Sequence, residues 1–228
     1  MTSPATAWLL GNGRELALDR TRLMGILNAT PDSFSDGGRY DTVDAAVEAG
    51  LAMAEAGASV IDVGGESTRP GAEAVSPEEQ IHRTVPVIRG IRDRSTVPIS
   101  IDTTSSEVAS AALDAGADAI NDVSGGMDDP GLLRLAASRG CGLILMHRLR
   151  PPGEESFSDA YDETPVYRDV VMDVRDALCS LATRAEAVGV DRRHVMIDPG
   201  LGFGKTVEQN WLLIARIRSF LSTGYPVL

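Results

Sequence analysis

Ile99-Ser100-Ile101-Asp102 and Ala119-Ile120-Asn121-Asp122 are short apolar strands that stop on polar groups, with an amphipathic helical segment at about 105–116 between them. Working outward, Met24-Gly25-Ile26-Leu27-Asn28, Val60-Ile61-Asp62, Leu143-Ile144-Leu145-Met146-His147 and Val195-Met196-Ile197-Asp198 end the same way. Helical patterns follow these strands at about 42–57, 78–93, 105–116, 129–139, 167–189 and 207–220. One such ending is a strand meeting the surface. Six of them, at 28, 64, 102, 121, 147 and 198, have spacings that suit right-handed crossovers. They predict an α/β fold of the TIM (β/α)8 barrel type, whose reactive groups sit at the carboxyl ends of its strands.

Local signals agree with that frame. Asp41-Thr42 and Ser76-Pro77-Glu78-Glu79 offer helix N-terminal caps with early acids. Gly57, Gly116, Gly140 and Gly189 stand where left-handed helix ends are expected. Ahead of the alternation, residues 8–18 read as two short strands around Asn12-Gly13, a hairpin able to plug the amino-terminal end of a barrel. Tyr225-Pro226-Val227-Leu228 begins a seventh barrel strand, so residues 1–228 are expected to form one barrel domain lacking its last strand–helix units. An open sheet edge beside an incomplete core is an aggregation liability, and the expectation is a truncated chain.

The 228 residues, 43% of them hydrophobic, can bury one large core. A formal net charge of −12 repels nucleic acid and anionic membrane surfaces, so neither is expected as a partner. The longest apolar run falls well short of the roughly 18 residues that span a bilayer, and the N-terminus does not read as a secretory signal. Cys141 and Cys179 are neither metal-spaced nor numerous enough for a disulfide framework, which points to a reduced, cytoplasmic setting.

The loop Asn28-Ala29-Thr30-Pro31-Asp32-Ser33-Phe34-Ser35-Asp36-Gly37-Gly38 has the composition of a cover that orders around a ligand. Asn28 ends an apolar strand, and its amide oxygen can serve as a neutral ligand for Mg²⁺. In Gly64-Gly65-Glu66-Ser67-Thr68-Arg69-Pro70-Gly71, Arg69 offers a fork for phosphate oxygens. Asp102, Asn121 and Asp198 are a sharper set, because buried carboxylates need a donor or a cation. Together they suit the donor-rich edge of a nitrogen heterocycle, and they can oppose positive charge developing on it. Asp62 and Asp122 are read instead as caps of the helices that follow; His147, taken without the pattern around it, reads as a satisfied residue at a strand end. No role falls to His82 or His194. Asp198-Pro199-Gly200-Leu201-Gly202-Phe203-Gly204-Lys205-Thr206 has a superficial P-loop look but not the spacing, so its glycines shape a rim where Phe203 walls the pocket.

Taken together these segments resemble the dihydropteroate synthase family of pterin-binding enzymes. The resemblance rests on residues 24–38, Asp62-Val63-Gly64-Gly65-Glu66-Ser67-Thr68-Arg69-Pro70-Gly71, Ser100-Ile101-Asp102-Thr103, Ile120-Asn121-Asp122-Val123-Ser124-Gly125-Gly126, Leu145-Met146-His147 and 198–205, in family order. It implies a transferase of folate biosynthesis, joining 6-hydroxymethyl-7,8-dihydropterin diphosphate to 4-aminobenzoate with release of pyrophosphate and 7,8-dihydropteroate. It also implies Mg²⁺ held by Asn28 and a homodimer. Asp102, Asn121 and Asp198 would hold the pterin ring, with Met146 and Phe203 lining its slot. Thr68 and Arg69 would stand on the second substrate loop, and Phe34 and Pro70 would help form the aminobenzoate pocket. Asp102, Asp36 and Arg69 are the expected catalytic set.

The family's Ser-Arg-Lys stretch and Arg-x-His motif have no counterpart in these residues, and this chain alone is expected to bind diphosphate poorly and to turn over little or not at all. Two other readings compete: a pterin-dependent methyltransferase barrel, which has no use for the two signature loops, and a non-catalytic pterin-binding paralogue.

Overall fold

The computed structural model describes residues 4–29, 39–67 and 74–228. A two-stranded hairpin, β1 (Ala7–Leu9) and β2 (Glu15–Ala17), precedes a parallel sheet of six strands. These are β3 (Met24–Asn28), β4 (Val60–Gly64), β5 (Ile99–Asp102), β6 (Ala119–Asp122), β7 (Gly142–Met146) and β8 (Val195–Asp198), paired in chain order. The helices α1 (Arg39–Glu55), α2 (Pro77–Arg94), α3 (Ser106–Asp114), α4 (Gly131–Arg139) and α5 (Val170–Ala187) lie in the crossovers. After β8 come α6 (Val207–Ala215) and α7 (Arg218–Leu221). All six expected strands form. Val227 makes a parallel bridge to Ile197 along the free edge of β8, where a seventh strand was expected to begin.

The period-two alternation of each strand divides the sheet into two faces. Leu27, Ile61, Val63, Ile101, Ile120, Leu143, Leu145 and Ile197 point outward and form one buried core with the helices. The inward positions start apolar and become polar. At the amino-terminal end Val60, Ala119, Ile144 and Met196 pack against Trp8 and Leu10 from the hairpin, which plugs the base as expected. Trp8 is wholly buried, and its indole N–H donates to the His194 carbonyl at 2.7 Å. Asn12 and Gly13 turn the hairpin at φ of 60° and 70°, the left-handed pair such a tight reversal requires.

Two helix boundaries differ from the sequence reading. Helix α1 starts at Arg39, so Asp41-Thr42 lies inside its first turn and is not its cap. The single helix expected at 207–220 is broken at Arg216 and Ile217. Helix α6 buries only Leu213, whereas Phe220, after the break, is wholly buried. Ser76 does cap α2, accepting from the Glu79 N–H, and the four expected helix-end glycines all have positive φ.

Candidate active site

Strand register sets the site. Asn28 pairs with Gly64, Gly64 with Asp102, Asp102 with Asn121, and Met146 with Asp198. These residues end the inward-facing rows that begin at the apolar base, so their side chains meet at the carboxyl-terminal mouth. A methyl group built on Gly64 would lie 3.5 Å from Asn28 Oδ1 and 3.6 Å from Asp102 Oδ2. The missing side chain therefore leaves a notch between the two oxygens. A cavity of about 470 Å³ opens beside Asp102, bordered also by Glu66, Gln80, Thr103 and Arg148. A second cavity, about 530 Å³ and chiefly apolar, lies at the base beside the hairpin and carries no comparable cluster of acceptors.

One layer below the mouth, Asp62 is buried at 4% exposure and holds the site in place. It accepts from Ser100 Oγ at 2.5 Å and from Asn121 Nδ2 at 2.9 Å. The expectation that Asp62 caps a helix is therefore wrong: its partners are neighbours across the sheet, because its position is inward and not at the strand's last residue. Asp122 is not a helix cap either. It accepts from the backbone N–H of Ser124 and of Gly126, closing the turn after β6 well before α4 begins.

The Asp62 bond fixes which way the Asn121 amide faces. Its Nδ2 is taken, and its buried Oδ1 has no partner among the described residues. An acceptor buried without a donor is costly unless a ligand supplies one. Asp102 likewise receives no side-chain or backbone hydrogen bond among the described residues. Burial, followed by repulsion from Asp62, Asp122 and Glu66, holds its pKa well above the usual carboxylate range. Asp198 accepts from the Gly200 N–H at 2.8 Å. Burial nevertheless pushes it up to about 6 against that bond and the nearby Lys205 ammonium. Two carboxyls and one amide oxygen thus stand short of donors around one mouth.

The β7–β8 side is built differently. His147, just past β7, is buried and kept neutral, its pKa lowered to about 3 by burial and by Lys205. It is the satisfied strand-end residue expected. Lys205 is wholly buried, with Nζ on the carbonyls of Phe203, Gly200 and His147 at 2.6, 2.9 and 3.2 Å. An ammonium turned inward in this way cannot cradle a phosphate, in agreement with the rejected P-loop reading. Its place in the site was missed from sequence. The available signal was composition: Lys205 is the chain's one lysine, every other strong cation being arginine.

The family described as Pterin binding enzyme matches residues 24–228. The dihydropteroate synthase of Mycobacterium leprae is 45% identical over 213 residues, spanning 93% of this chain and 73% of its own. The chain belongs to the dihydropteroate synthase family. It matches a probable bifunctional folylpolyglutamate synthase/dihydropteroate synthase of Haloferax volcanii at 48% identity over 210 residues, 92% of this chain but 24% of that protein. Among solved structures, Xanthomonas albilineans dihydropteroate synthase with 4-aminobenzoic acid superposes with a TM-score of 0.85 at 45% identity, covering 99% of this chain and 77% of that one. The six-stranded sheet is accordingly most of a dihydropteroate synthase barrel. Of the residues expected at the site, Asn28, Asp102, Asn121, Met146 and Asp198 converge at its mouth, and Phe203 stands on the rim loop after β8. Phe34, Asp36, Thr68, Arg69 and Pro70 lie outside the described residues.

Proposed function

We propose that this chain supplies the pterin side of the dihydropteroate synthase reaction, in which the methylene carbon of 6-hydroxymethyl-7,8-dihydropterin diphosphate passes to the amine of 4-aminobenzoate and pyrophosphate departs, and that these 228 residues alone turn over little or not at all. The observation that carries the proposal is the orphaned Asn121 Oδ1 standing between Asp102 and Asp198, three acceptor groups in need of donors. A pterin's pyrimidine edge presents a matching run of N–H and amino donors. Asp62 acts through Asn121, holding the amide so that its oxygen and not its nitrogen meets the ring.

Loss of diphosphate leaves positive charge spread over the pterin, and on this reading the carboxylates of Asp102 and Asp198 oppose it. Such preorganised groups act in a site that excludes water and need not reorganise during the reaction. Met146, buried above Ile144, supplies an apolar wall for the flat ring. Phe203 is the opposite wall on this reading. Thr68, Arg69, Phe34, Pro70 and Asp36 take the loop roles that the family resemblance gives them: closing over the aminobenzoate and keeping water from the cation.

The notch at Gly64 fits a hard divalent ion, since both of its nearest side-chain oxygens are of the type Mg²⁺ prefers. Asn28 would hold that ion, and the ion when bound supplies charge neutralisation to the departing diphosphate. Asn28→Ala is expected to weaken Mg²⁺-dependent diphosphate binding about tenfold, with little change for the bare pterin. Comparing titrations with and without Mg²⁺ checks this. We further infer a cytoplasmic homodimer, supported by the two free cysteines and the family resemblance. No helix among the described residues is long and apolar enough to cross a membrane.

The deciding experiment is pyrophosphate release from pterin diphosphate by the protein carrying this chain, with and without 4-aminobenzoate. Release that depends on the arylamine and yields dihydropteroate supports the proposal. Tight pterin binding without release favours a non-catalytic paralogue.

A further inference from the structure

Lys205 is an anomaly of composition and of place. The chain uses arginine for every other strong cation and lysine once, at a wholly buried position. An arginine there would present a broad planar fork, whereas a lysine presents a compact point charge with three rotatable donors. The surroundings call for that shape. Nζ has the carbonyl oxygens of Phe203, Gly200 and His147 within 3.2 Å and the Nδ1 of the neutral His147 at 3.0 Å. An ammonium has a proton for each of the three carbonyls, whereas a neutral amine has only two and serves them with the Phe203 N–H as a further donor to Gly200.

Those carbonyls belong to two loops. His147 follows β7, and its N–H donates to the Asp198 carbonyl at 3.0 Å. Gly200 and Phe203 follow β8, and the Gly200 N–H donates to Asp198 Oδ1. The loops nearly touch: a methyl group on Gly200 would sit 2.1 Å from the His147 oxygen. We propose that Lys205 is a positioning residue of the ring site, its ammonium clamping these two loops together and thereby setting the pose of Phe203 and supporting the negative charge of Asp198. The inference rests on the reading of the mouth as a pterin site.

The electrostatics agree with the geometry. Burial lowers Lys205 to about 7, while Asp198 and Glu155 pull the other way. Asp198 is pushed up by burial and by Asp62, and down by Gly200 and Lys205. The other titratable groups facing Lys205 are His147, held neutral, and the phenols of Tyr161 and Tyr167, both pushed up by burial. Asp198 and Lys205 are therefore the pair whose charges depend on each other across neutral pH. Ring affinity is expected to be bell-shaped, falling as Asp198 is protonated below about pH 6 and as Lys205 is deprotonated above about pH 7.

A single lysine makes the test direct. In the 228-residue chain labelled with ¹³C,¹⁵N-lysine, the one side-chain resonance is expected to titrate far below an ordinary lysine, and to move lower still in Asp198→Asn. Binding of 6-hydroxymethylpterin by Lys205→Met, followed calorimetrically against pH, is expected to show its acid midpoint raised by about one pH unit. Its affinity at pH 7 should fall about tenfold. A lysine midpoint that ignores Asp198→Asn overturns the inference, even if Lys205→Met does not fold. So does a folded Lys205→Met that loses thermal stability but keeps the wild-type midpoint and affinity. Wild-type chain that binds no pterin at any pH overturns the ring-site reading itself, a result distinct from either of these.

Discussion

The two ends of the same six strands have opposite designs. At the base, Val60, Ala119, Ile144 and Met196 close on Trp8 and Leu10 in a packed apolar layer. At the mouth, the inward rows end instead on Asp102, Asn121 and Asp198, whose acceptor groups stand short of donors. The base spends its side chains on cohesion. The mouth holds carboxyls that oppose the fold until something binds them. Alternation along a strand thus separates stability from chemistry within about two residues, and substitutions at the two ends should have opposite signatures.

The largest effect is expected at the base. Trp8→Ala removes a wholly buried indole and its hydrogen bond to the His194 carbonyl. It should cost about 3–5 kcal/mol of stability, the usual range for a large aromatic truncated in a core. Urea unfolding measures that loss. Pterin affinity of the molecules that remain folded should stay within about twofold, and a larger drop would mean that the ends are not independent.

Asp102→Asn should invert that result. The amide removes a charge that has no donor in the described structure, so the fold should be as stable as wild type or more so at pH 7. Turnover by the protein carrying this chain should fall about 100-fold or more, the scale found when one preorganised group is lost from a charge-stabilising site. Turnover within a few-fold of wild type would remove Asp102 from the reaction.

Asp62→Ala lies between the two ends in position and in effect. It leaves the Asn121 amide free to rotate and strips Ser100 of its acceptor. Pterin affinity should fall by about 1–3 kcal/mol, the cost of unpaired buried polar groups. A calorimetric titration checks it. Unchanged affinity would mean that the amide is oriented by something other than Asp62.

These contrasts also mark what the sequence could show. The strands, their polar ends and the plug were legible, because period-two patterning and an Asn-Gly turn are local signals. The convergence of Asn28, Asp102, Asn121 and Asp198 was legible too, since parallel register carries strand ends to one mouth. Asp62 was misread because it stands two residues before Gly64 in sequence but one layer lower in space, and only register shows Ser100 and Asn121 beside it. Lys205 escaped notice for a similar reason: its partners are backbone carbonyls of its own loop and of the loop after β7, which leave no trace in residue identity. The break of α6 from α7, with Phe220 wholly buried beyond it, is a tertiary feature that helical periodicity does not encode.

The gentlest way to separate the ends is pH. Asp198 titrates in the folded chain at about 6, above its ordinary value. For such a group the sign is fixed by linkage: its contribution to stability is present in full below the unfolded pKa, near 4, and is lost as pH rises through the folded value. The wild type should therefore become less stable relative to Asp198→Asn between about pH 4 and pH 6, with little further change above pH 7. Each kcal/mol in that difference corresponds to about 2–4 °C of Tm for a chain of this size. Trp8→Ala, by contrast, removes no ionisable group and should shift Tm by a similar amount throughout. Saturating pterin should flatten the Asp198 difference, because ring donors satisfy the ionised carboxylate and lower its pKa. A difference curve that stays flat without ligand would show that Asp198 is already satisfied within the folded chain, and the mouth would then be no less self-sufficient than the base.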